Sequence, residues 1–200
     1  MLILASASPR RREMLERVGV PIEVVPADVD ETPLPGETPE RYVSRIAGAK
    51  YSAAAKLHPG RWVLAADTTV TIDGAILGKA ESPDEAAAML RRLSGRTHEV
   101  LTAFAIGGVT GPKRFSVTKR WVTTQVDVIE LDDQAISDYV ATGEWRGKAG
   151  AYAIQGIAAA FVQGVRGSVT NVIGLPLVEV LETLRELGAP SAWFAAGVPS

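Results

Sequence analysis

Residues 1–12 constrain the fold more than any other stretch of the sequence. The apolar run Leu2–Leu4 is followed by small residues at positions 5–8, and these lead into Pro9 and three arginines. This order is typical of a strand, a tight turn and a helix, because Ser8 is a good N-cap and proline suits the first helical position, where no N–H is needed. The sequence therefore predicts a helix that begins at the arginines.

The arginines at this predicted helix start indicate an anion site. A helix N-terminus carries partial positive charge, so Arg10, Arg11 and Arg12 would repel it unless a negative group lies there. Ser6 and Ser8 add hydroxyl groups at the same corner, and a phosphate is the natural occupant. A solvated surface turn is the alternative, since a short basic run alone is weak evidence.

Size and charge exclude several classes of protein. A chain of 200 residues is long enough for one domain with its own core, and the absence of cysteine excludes disulfides, thiolate zinc sites and cysteine nucleophiles. Lys and Arg number 21 against 23 Asp and Glu, which gives no overall field for nucleic acid or an anionic membrane. The basic residues Lys113, Arg114, Lys119 and Arg120 indicate a solvated strand face or an oligomer edge. No apolar run suits a signal peptide or a membrane span, so we expect a cytoplasmic protein.

Hydrophobic periodicity and turn residues predict an alternation of strands and helices along the rest of the chain. We expect strands at 2–4, 21–25, 62–72, 75–77, 98–106, 114–131, 158–162 and 168–173, and helices from residues 9, 39, 83, 133 and 176. The apolar face of the last helix is predicted to be Val178, Leu181 and Leu184. The tail from residue 189 has no predicted role.

Four charged residues outside the first helix are candidates for chemistry. Asp67 lies within an apolar strand pattern, where a charge is costly unless it is paired or bound to metal, although it could also cap a turn. Glu31 lies in a proline-rich acidic loop, which is more often simply solvated. Lys79 follows a glycine that allows close approach to a phosphate. Lys50, on a predicted helix, matters only if that helix borders the anion site.

The absence of several known catalytic motifs excludes the reactions that depend on them. The sequence contains no Walker A motif, no G-x-G-x-x-G, no G-x-S-x-G and no H-E-x-x-H. Cations at a helix start combined with isolated acids suit phosphoryl chemistry, in which cations neutralise the spreading charge and carboxylates hold a metal or activate water. The economical interpretation is metal-dependent attack on a small polyphosphate.

Five motifs, in order along the chain, resemble the Maf (septum formation inhibitor) family of nucleoside triphosphate pyrophosphatases, from Met1 to about Leu187. The motifs are Ser6-Ala7-Ser8-Pro9-Arg10-Arg11, Ala66-Asp67-Thr68, Leu77-Gly78-Lys79, Leu93-Ser94-Gly95 with Thr97-His98, and Lys148-Ala149-Gly150-Ala151-Tyr152-Ala153-Ile154-Gln155-Gly156. The chain departs from the family at Ala80, where proline is usual. Arg12 lies outside the motif.

The resemblance implies an α/β fold in which a mixed, strongly twisted central sheet is flanked by helices, with two lobes around a nucleotide cleft. It implies one domain over residues 1–188 followed by a tail at 189–200, and a homodimer. It implies that Asp67 is the general base and that Glu31 and Asp67 lie near a divalent cation, Mg²⁺ or Mn²⁺. It also implies a set of phosphate ligands: Ser6, Arg10, Arg11, Lys50 and Lys79.

The same resemblance implies a preference for the base. The branch that cleaves dTTP and UTP ends its glycine-rich segment in Ile-Gln-Gly, as this chain does at Gln155, whereas the 7-methyl-GTP branch carries Ser-Glu-Gly. Thr68, Arg11 and Gln155 are the specificity positions, and a primary amide matches the acceptor–donor–acceptor edge of uracil. The expected function is a housecleaning dTTP/UTP pyrophosphatase, with modified pyrimidine nucleotides as further candidate substrates. The alternatives are a 7-methyl-GTP or other modified-base enzyme and a nucleotide-binding regulator of septum formation.

Overall fold

A computed structural model describes residues 1–109 and 115–189, with only the backbone of Phe115. Part of the predicted 107–112 turn, the basic residues Lys113 and Arg114, and the tail beyond Ala189 lie outside the described residues. Among the helices that are described, none has the length and apolar character needed to cross a bilayer.

The described chain forms a mixed α/β structure around one sheet. Its strands are β1 (Leu2–Leu4), β2 (Ile22–Val24), β3 (Val63–Ile72), β4 (Ala75–Leu77), β5 (Thr97–Val109), β6 (Phe115–Val128) and β7 (Val162–Arg166). Its helices are α1 (Pro9–Arg17), α2 (Pro39–Leu57), α3 (Pro83–Leu93), α4 (Asp133–Ala141), a 3₁₀ helix (Ile157–Phe161), α5 (Val169–Ile173) and α6 (Leu177–Glu186). The strand order is β2-β1-β3-β5-β6-β7, with β4 paired to β3. β1 pairs in parallel with β2 and β3, and all other pairs are antiparallel. The predicted mixed sheet flanked by helices is confirmed.

β3 is shared by two large hydrophobic clusters. Leu64 and Ala66, near its start, pack in a cluster with β1, α1 and α6. Val70 and Ile72, near its end, pack in another with α3, α4 and the segment before β7. Asp67 and Thr68 lie on β3 between these two groups, and this position places polar side chains where the clusters meet.

The predicted strands at 158–162 and 168–173 are wrong. Residues 157–161 form the 3₁₀ helix, because the Glu144 carboxylate accepts hydrogen bonds from the amides of Ile157 (2.9 Å) and Ala158 (3.2 Å) at its start. α5 replaces the second strand, because the Ser168 side chain accepts from the Asn171 amide at 3.2 Å and caps the helix. This local hydrogen bonding overrides the strand preference of β-branched residues.

The last helix has a different buried face from the predicted one. Leu181 and Leu184 are buried, but Val178 is 62 % exposed and Val180 is buried instead. Ala189, assigned to the tail by the sequence, is buried against the cluster that contains α6, and its amide donates to the Leu184 carbonyl at 2.9 Å.

Candidate active site

A cavity of about 320 Å³ opens where the two clusters meet, and all nine of the predicted site residues line it. They are Ser6, Arg10, Arg11, Glu31, Lys50, Asp67, Thr68, Lys79 and Gln155. This volume lies at the lower end of the range found for small-molecule sites. The structure therefore places in one pocket residues that are widely separated in the sequence.

The N-terminal corner of the pocket has the predicted strand–turn–helix form. α1 begins at Pro9, but the Ser8 side chain makes no cap hydrogen bond, so it does not occupy the amides of the first turn. Ser6 is buried, and its hydroxyl oxygen accepts from the Arg11 guanidinium at 2.9 Å and from the Ser8 amide at 3.3 Å. Arg12 is directed away, in an exposed ion pair with Glu16.

The C-terminal end of α5 orients the two pocket arginines. Arg11 Nε donates to the Gly174 carbonyl at 2.7 Å, and Arg10 Nε donates to the Ile173 carbonyl at 3.2 Å. Carbonyls at a helix C-terminus carry partial negative charge, which favours a guanidinium. Burial lowers the pKa of both arginines, and for Arg11 the nearby Asp67 charge acts in the opposite direction.

Two carboxylates and two lysines form the opposite wall. Lys50, buried on α2, places its Nζ 2.6 Å from Glu31 Oε1 and 2.8 Å from Asp67 Oδ1, while Lys79 Nζ lies 3.2 Å from Glu31 Oε2. The Tyr42 hydroxyl donates to the Glu31 carbonyl at 3.0 Å and so fixes the acidic loop against α2. Lys50 is therefore not a surface lysine, and Asp67 is not a turn cap.

The charge balance of this wall keeps Glu31 ionised. Partial burial would raise the pKa of Glu31, but its hydrogen bond to Lys50 and the charges of Lys50 and Lys79 lower that pKa below its ordinary value. An ionised Glu31 is a hydrogen-bond acceptor and a hard oxygen ligand at neutral pH.

Glu31 and Asp67 match part of the ligand set of a magnesium site. Within residues 1–109 and 115–189, no group of three or more His, Cys, Asp or Glu side chains is arranged to hold a metal. Mg²⁺, however, is usually held by one or two carboxylates together with substrate phosphates and water. Two carboxylates drawn to the same ammonium are close enough to serve in that way once a polyphosphate is bound.

Gln155 borders the pocket on a segment that is folded back against Lys79. Ala149 forms a β-bridge with Lys79, and the Gly150 amide donates to the Gly78 carbonyl at 3.1 Å. Gly150 has a φ of +67°, and a Cβ there would lie 3.0 Å from both Val70 methyl carbons, so glycine is needed for this approach. The glycine-rich segment thus lines a pocket, and Gln155 is exposed within it.

Several polar residues next to the site were not among the predicted site residues. Thr102 and Asn171 are fully buried behind Thr68, and the His98 ring nitrogen Nε2 lies 2.8 Å from the hydroxyl of Tyr152, which lines the pocket. Lys148 also lines it. A polar residue between apolar neighbours in a strand, such as Thr102 between Leu101 and Ala103, is a signal that could have identified the first of these.

Comparison with known proteins gives matches over nearly the whole chain. The family described as Maf-like protein matches residues 1–187. Relatives named dTTP/UTP pyrophosphatase include one from a Geobacter species, 52 % identical over 94 % of this chain and 96 % of its own. The relative from Anaeromyxobacter dehalogenans is 50 % identical over 96 % of each chain, and that from Myxococcus xanthus is 48 % identical over 98 % of this chain and 97 % of its own.

A solved structure of a nucleoside-triphosphatase / dITP/XTP pyrophosphatase from Mycobacterium abscessus aligns with 99 % of this chain and 97 % of its own. It has 17 % sequence identity and a TM-score of 0.46.

Proposed function

Because this chain belongs to the Maf-like protein family, we propose that it hydrolyses dTTP and UTP to the nucleoside monophosphate and pyrophosphate. Relatives at about 50 % identity over most of the chain carry that activity in their names. The observation that carries the proposal is the convergence of Arg10, Arg11, Lys50 and Lys79 with Asp67 on one pocket. A triphosphate needs such cations, and attack on it needs a base.

The chain's own side chains divide into binding and chemical roles. The Ser6 hydroxyl, the two arginines and Lys79 hold the phosphates, while Lys50 fixes Asp67 through its 2.8 Å contact. Asp67 accepts a proton from water as the water oxygen bonds to the α-phosphorus, and pyrophosphate leaves with the electrons of the broken P–O bond. Mg²⁺ or Mn²⁺ near Glu31 and Asp67 would supply charge neutralisation on the phosphates.

Several wider properties rest on the same proposal. Residues 1–188, together with the packed Ala189, form one domain of two lobes, and the ligands are small nucleotides, with no nucleic acid or membrane as a partner. We also expect a homodimer in the cytoplasm with a housecleaning role. The two hydrophobic clusters on either side of the pocket support the two lobes.

A nucleotide panel tests the proposal. Pyrophosphate release should be measured with each common triphosphate, modified pyrimidine triphosphates and 7-methyl-GTP, with and without Mg²⁺ or Mn²⁺. We expect metal-dependent release, greatest with dTTP and UTP, and Gln155→Glu should erode that preference because a carboxylate cannot donate to a uracil carbonyl.

Three outcomes would contradict parts of the proposal. Greatest turnover of 7-methyl-GTP would place this chain in the 7-methyl-GTP branch. Turnover without added metal would show that the reaction needs no divalent cation. For a regulator of septum formation, nucleotide binding would matter and hydrolysis would be incidental, so an Asp67→Asn variant that binds dTTP without cleaving it would still restrain septation in cells.

A further inference from the structure

A chain of hydrogen bonds leads away from Thr68 into the buried part of the sheet. Arg11 Nη2 donates to Thr68 Oγ1 at 2.9 Å, and Thr68 Oγ1 lies 2.9 Å from Thr102 Oγ1. Thr102 Oγ1 donates to the Asn171 backbone carbonyl at 3.0 Å. Thr102 is fully buried, so it contacts no ligand itself.

The two ends of this chain fix the direction of every hydrogen bond in it. A guanidinium only donates and a backbone carbonyl only accepts. Because the Thr102 hydrogen is used by the Asn171 carbonyl, the hydrogen between the two hydroxyl groups must come from Thr68. The remaining acceptor near Thr68, the Gly174 carbonyl, lies 3.4 Å away, outside the usual O–H···O range.

Toward the pocket, the Thr68 hydroxyl is therefore an acceptor and the Ser6 hydroxyl is a donor. Ser6 Oγ accepts from Arg11 and from the Ser8 amide, so its hydrogen is available to an acceptor such as a phosphate oxygen. The Thr68 hydroxyl donates its hydrogen to Thr102 and accepts from Arg11 with one lone pair, so only its second lone pair is available to the pocket. A ligand group at Thr68 must then be a hydrogen-bond donor.

We propose that Thr102 is a positioning residue that sets base specificity by holding Thr68 as a hydrogen-bond acceptor. This inference rests on the proposed function, and it takes Thr68, a specificity position of the family that also lines the pocket, to face the base of the bound nucleotide. Uracil and thymine carry an N–H at ring position N3, and this group can donate to the Thr68 lone pair. Cytosine has a lone pair at N3, which would oppose that of Thr68, so the site favours uridine nucleotides over cytidine nucleotides.

The test is Thr102→Val, which keeps the shape of the side chain and removes the hydroxyl. The Asn171 carbonyl still accepts from the Gly174 amide at 3.0 Å, so no buried acceptor is left without a partner. With Thr102 Oγ1 gone, the Thr68 hydrogen is free to turn toward the pocket. We expect the ratio of kcat/KM for CTP to that for UTP to rise about tenfold.

Two control variants separate this effect from general damage to the sheet. Thr102→Ser restores the hydroxyl and should restore the wild-type ratio. Thr71→Val makes the same substitution at another buried position, on β3, where the hydroxyl has no hydrogen-bond partner among the described residues, and it should leave the ratio unchanged. An unchanged ratio in Thr102→Val, or an equal rise in Thr71→Val, would overturn the inference. If Thr102→Val does not fold, as judged by circular dichroism, Thr102→Ala replaces it.

Binding of UMP and CMP, measured by calorimetry on the same variants, distinguishes this inference from the proposed function. A wild-type protein that prefers UMP, and loses the preference in Thr102→Val, supports the role of Thr102 even if no triphosphate is hydrolysed. A wild-type protein that hydrolyses UTP but binds UMP and CMP equally refutes the role of Thr102 and leaves the proposed function standing.

Discussion

Asp67 is an acid within a strand, and its environment allows its charge to be removed without unfolding the site. Asp67→Asn keeps the side-chain shape, and Lys50 retains its 2.6 Å contact with Glu31. We expect turnover of dTTP to fall about a thousandfold while the affinity for dTTP changes only a few fold, because an amide cannot take the proton from water. Pyrophosphate release and calorimetric binding measure the two effects.

The matched control for that variant is Asp73→Asn. Asp73 lies in an exposed turn at a φ of 54°, which asparagine also adopts, and its only role in the described structure is an exposed ion pair with Arg96. Turnover should be unaffected there. Retained turnover in Asp67→Asn would remove Asp67 from its catalytic role.

His98 makes the stability of the fold depend on pH. Burial lowers the pKa of His98 to about 4 from its ordinary value of 6.5, against a smaller opposing effect of the Asp127 charge. Between these two values the unfolded chain binds more protons than the folded one, so the free energy of unfolding decreases as the pH falls through this window. We expect about 2 kcal/mol to be lost through His98 between pH 7.5 and pH 5.

Urea unfolding at the two pH values tests this expectation. His98→Gln retains a group that can hydrogen-bond to the Tyr152 hydroxyl but does not titrate, so the variant should lose about 2 kcal/mol less than the wild type over the same interval. Equal losses in the two proteins would show that His98 does not control this dependence.

α5 is the element whose last carbonyls orient both pocket arginines, and Gly174 ends it. Gly174 has a φ of +133°, which an L side chain rarely adopts, whereas the nearest atoms to an added Cβ lie 3.7 Å away and would not clash. We therefore expect Gly174→Ala to cost about 1–3 kcal/mol through backbone strain. Because the Gly174 carbonyl would move, KM for UTP should also rise.

Gly188→Ala is the control at another helix end. Its φ is +68° and nothing lies within 4 Å of an added Cβ, so it should lower stability by about 1 kcal/mol and leave KM unchanged. Urea unfolding and steady-state kinetics on both variants separate strain from orientation of Arg11. An equal change of KM in the two variants would contradict the role of the Gly174 carbonyl.

α5 is also an element that the local sequence pattern predicts wrongly. α1 and α2 carry a proline at the first turn and a clear apolar period, and both were predicted correctly from those features. Residues 168–173 are rich in β-branched side chains, which favour a strand, and the helix depends on the Ser168 cap and on Asn171 donating to the Val100 carbonyl at 3.0 Å. The second of these partners is 71 residues away, so no local pattern contains it.

In the whole molecule, the site shows the same distinction between local sequence patterns and contacts that are distant in sequence. The motifs contain seven of the nine predicted residues that line the pocket, among them Ser6 and Gln155, whereas Glu31 and Lys50 lie outside every motif. The structure alone shows that Lys50 lies between Glu31 and Asp67 and that Arg11 reaches Thr68, since these contacts join parts of the chain 17 to 57 residues apart. The carbonyl that accepts from Thr102, behind Thr68, is more distant still in the sequence, because it belongs to Asn171 on α5.

Because the pocket joins the first turn of the chain to α5, a bound nucleotide should stabilise the described domain as a unit. Asp67→Asn allows this to be measured without hydrolysis. At a dTTP concentration about 100 times Kd, we expect the free energy of unfolding to increase by about 2.7 kcal/mol and Tm to rise by about 5–10 °C in a single transition. Tripolyphosphate at the same concentration should produce a smaller shift, because it lacks the base that we propose Thr68 and Gln155 contact. Equal shifts with both ligands would show that the base contributes nothing, and a dTTP shift in only part of the melting curve would show that the two sides of the pocket unfold independently.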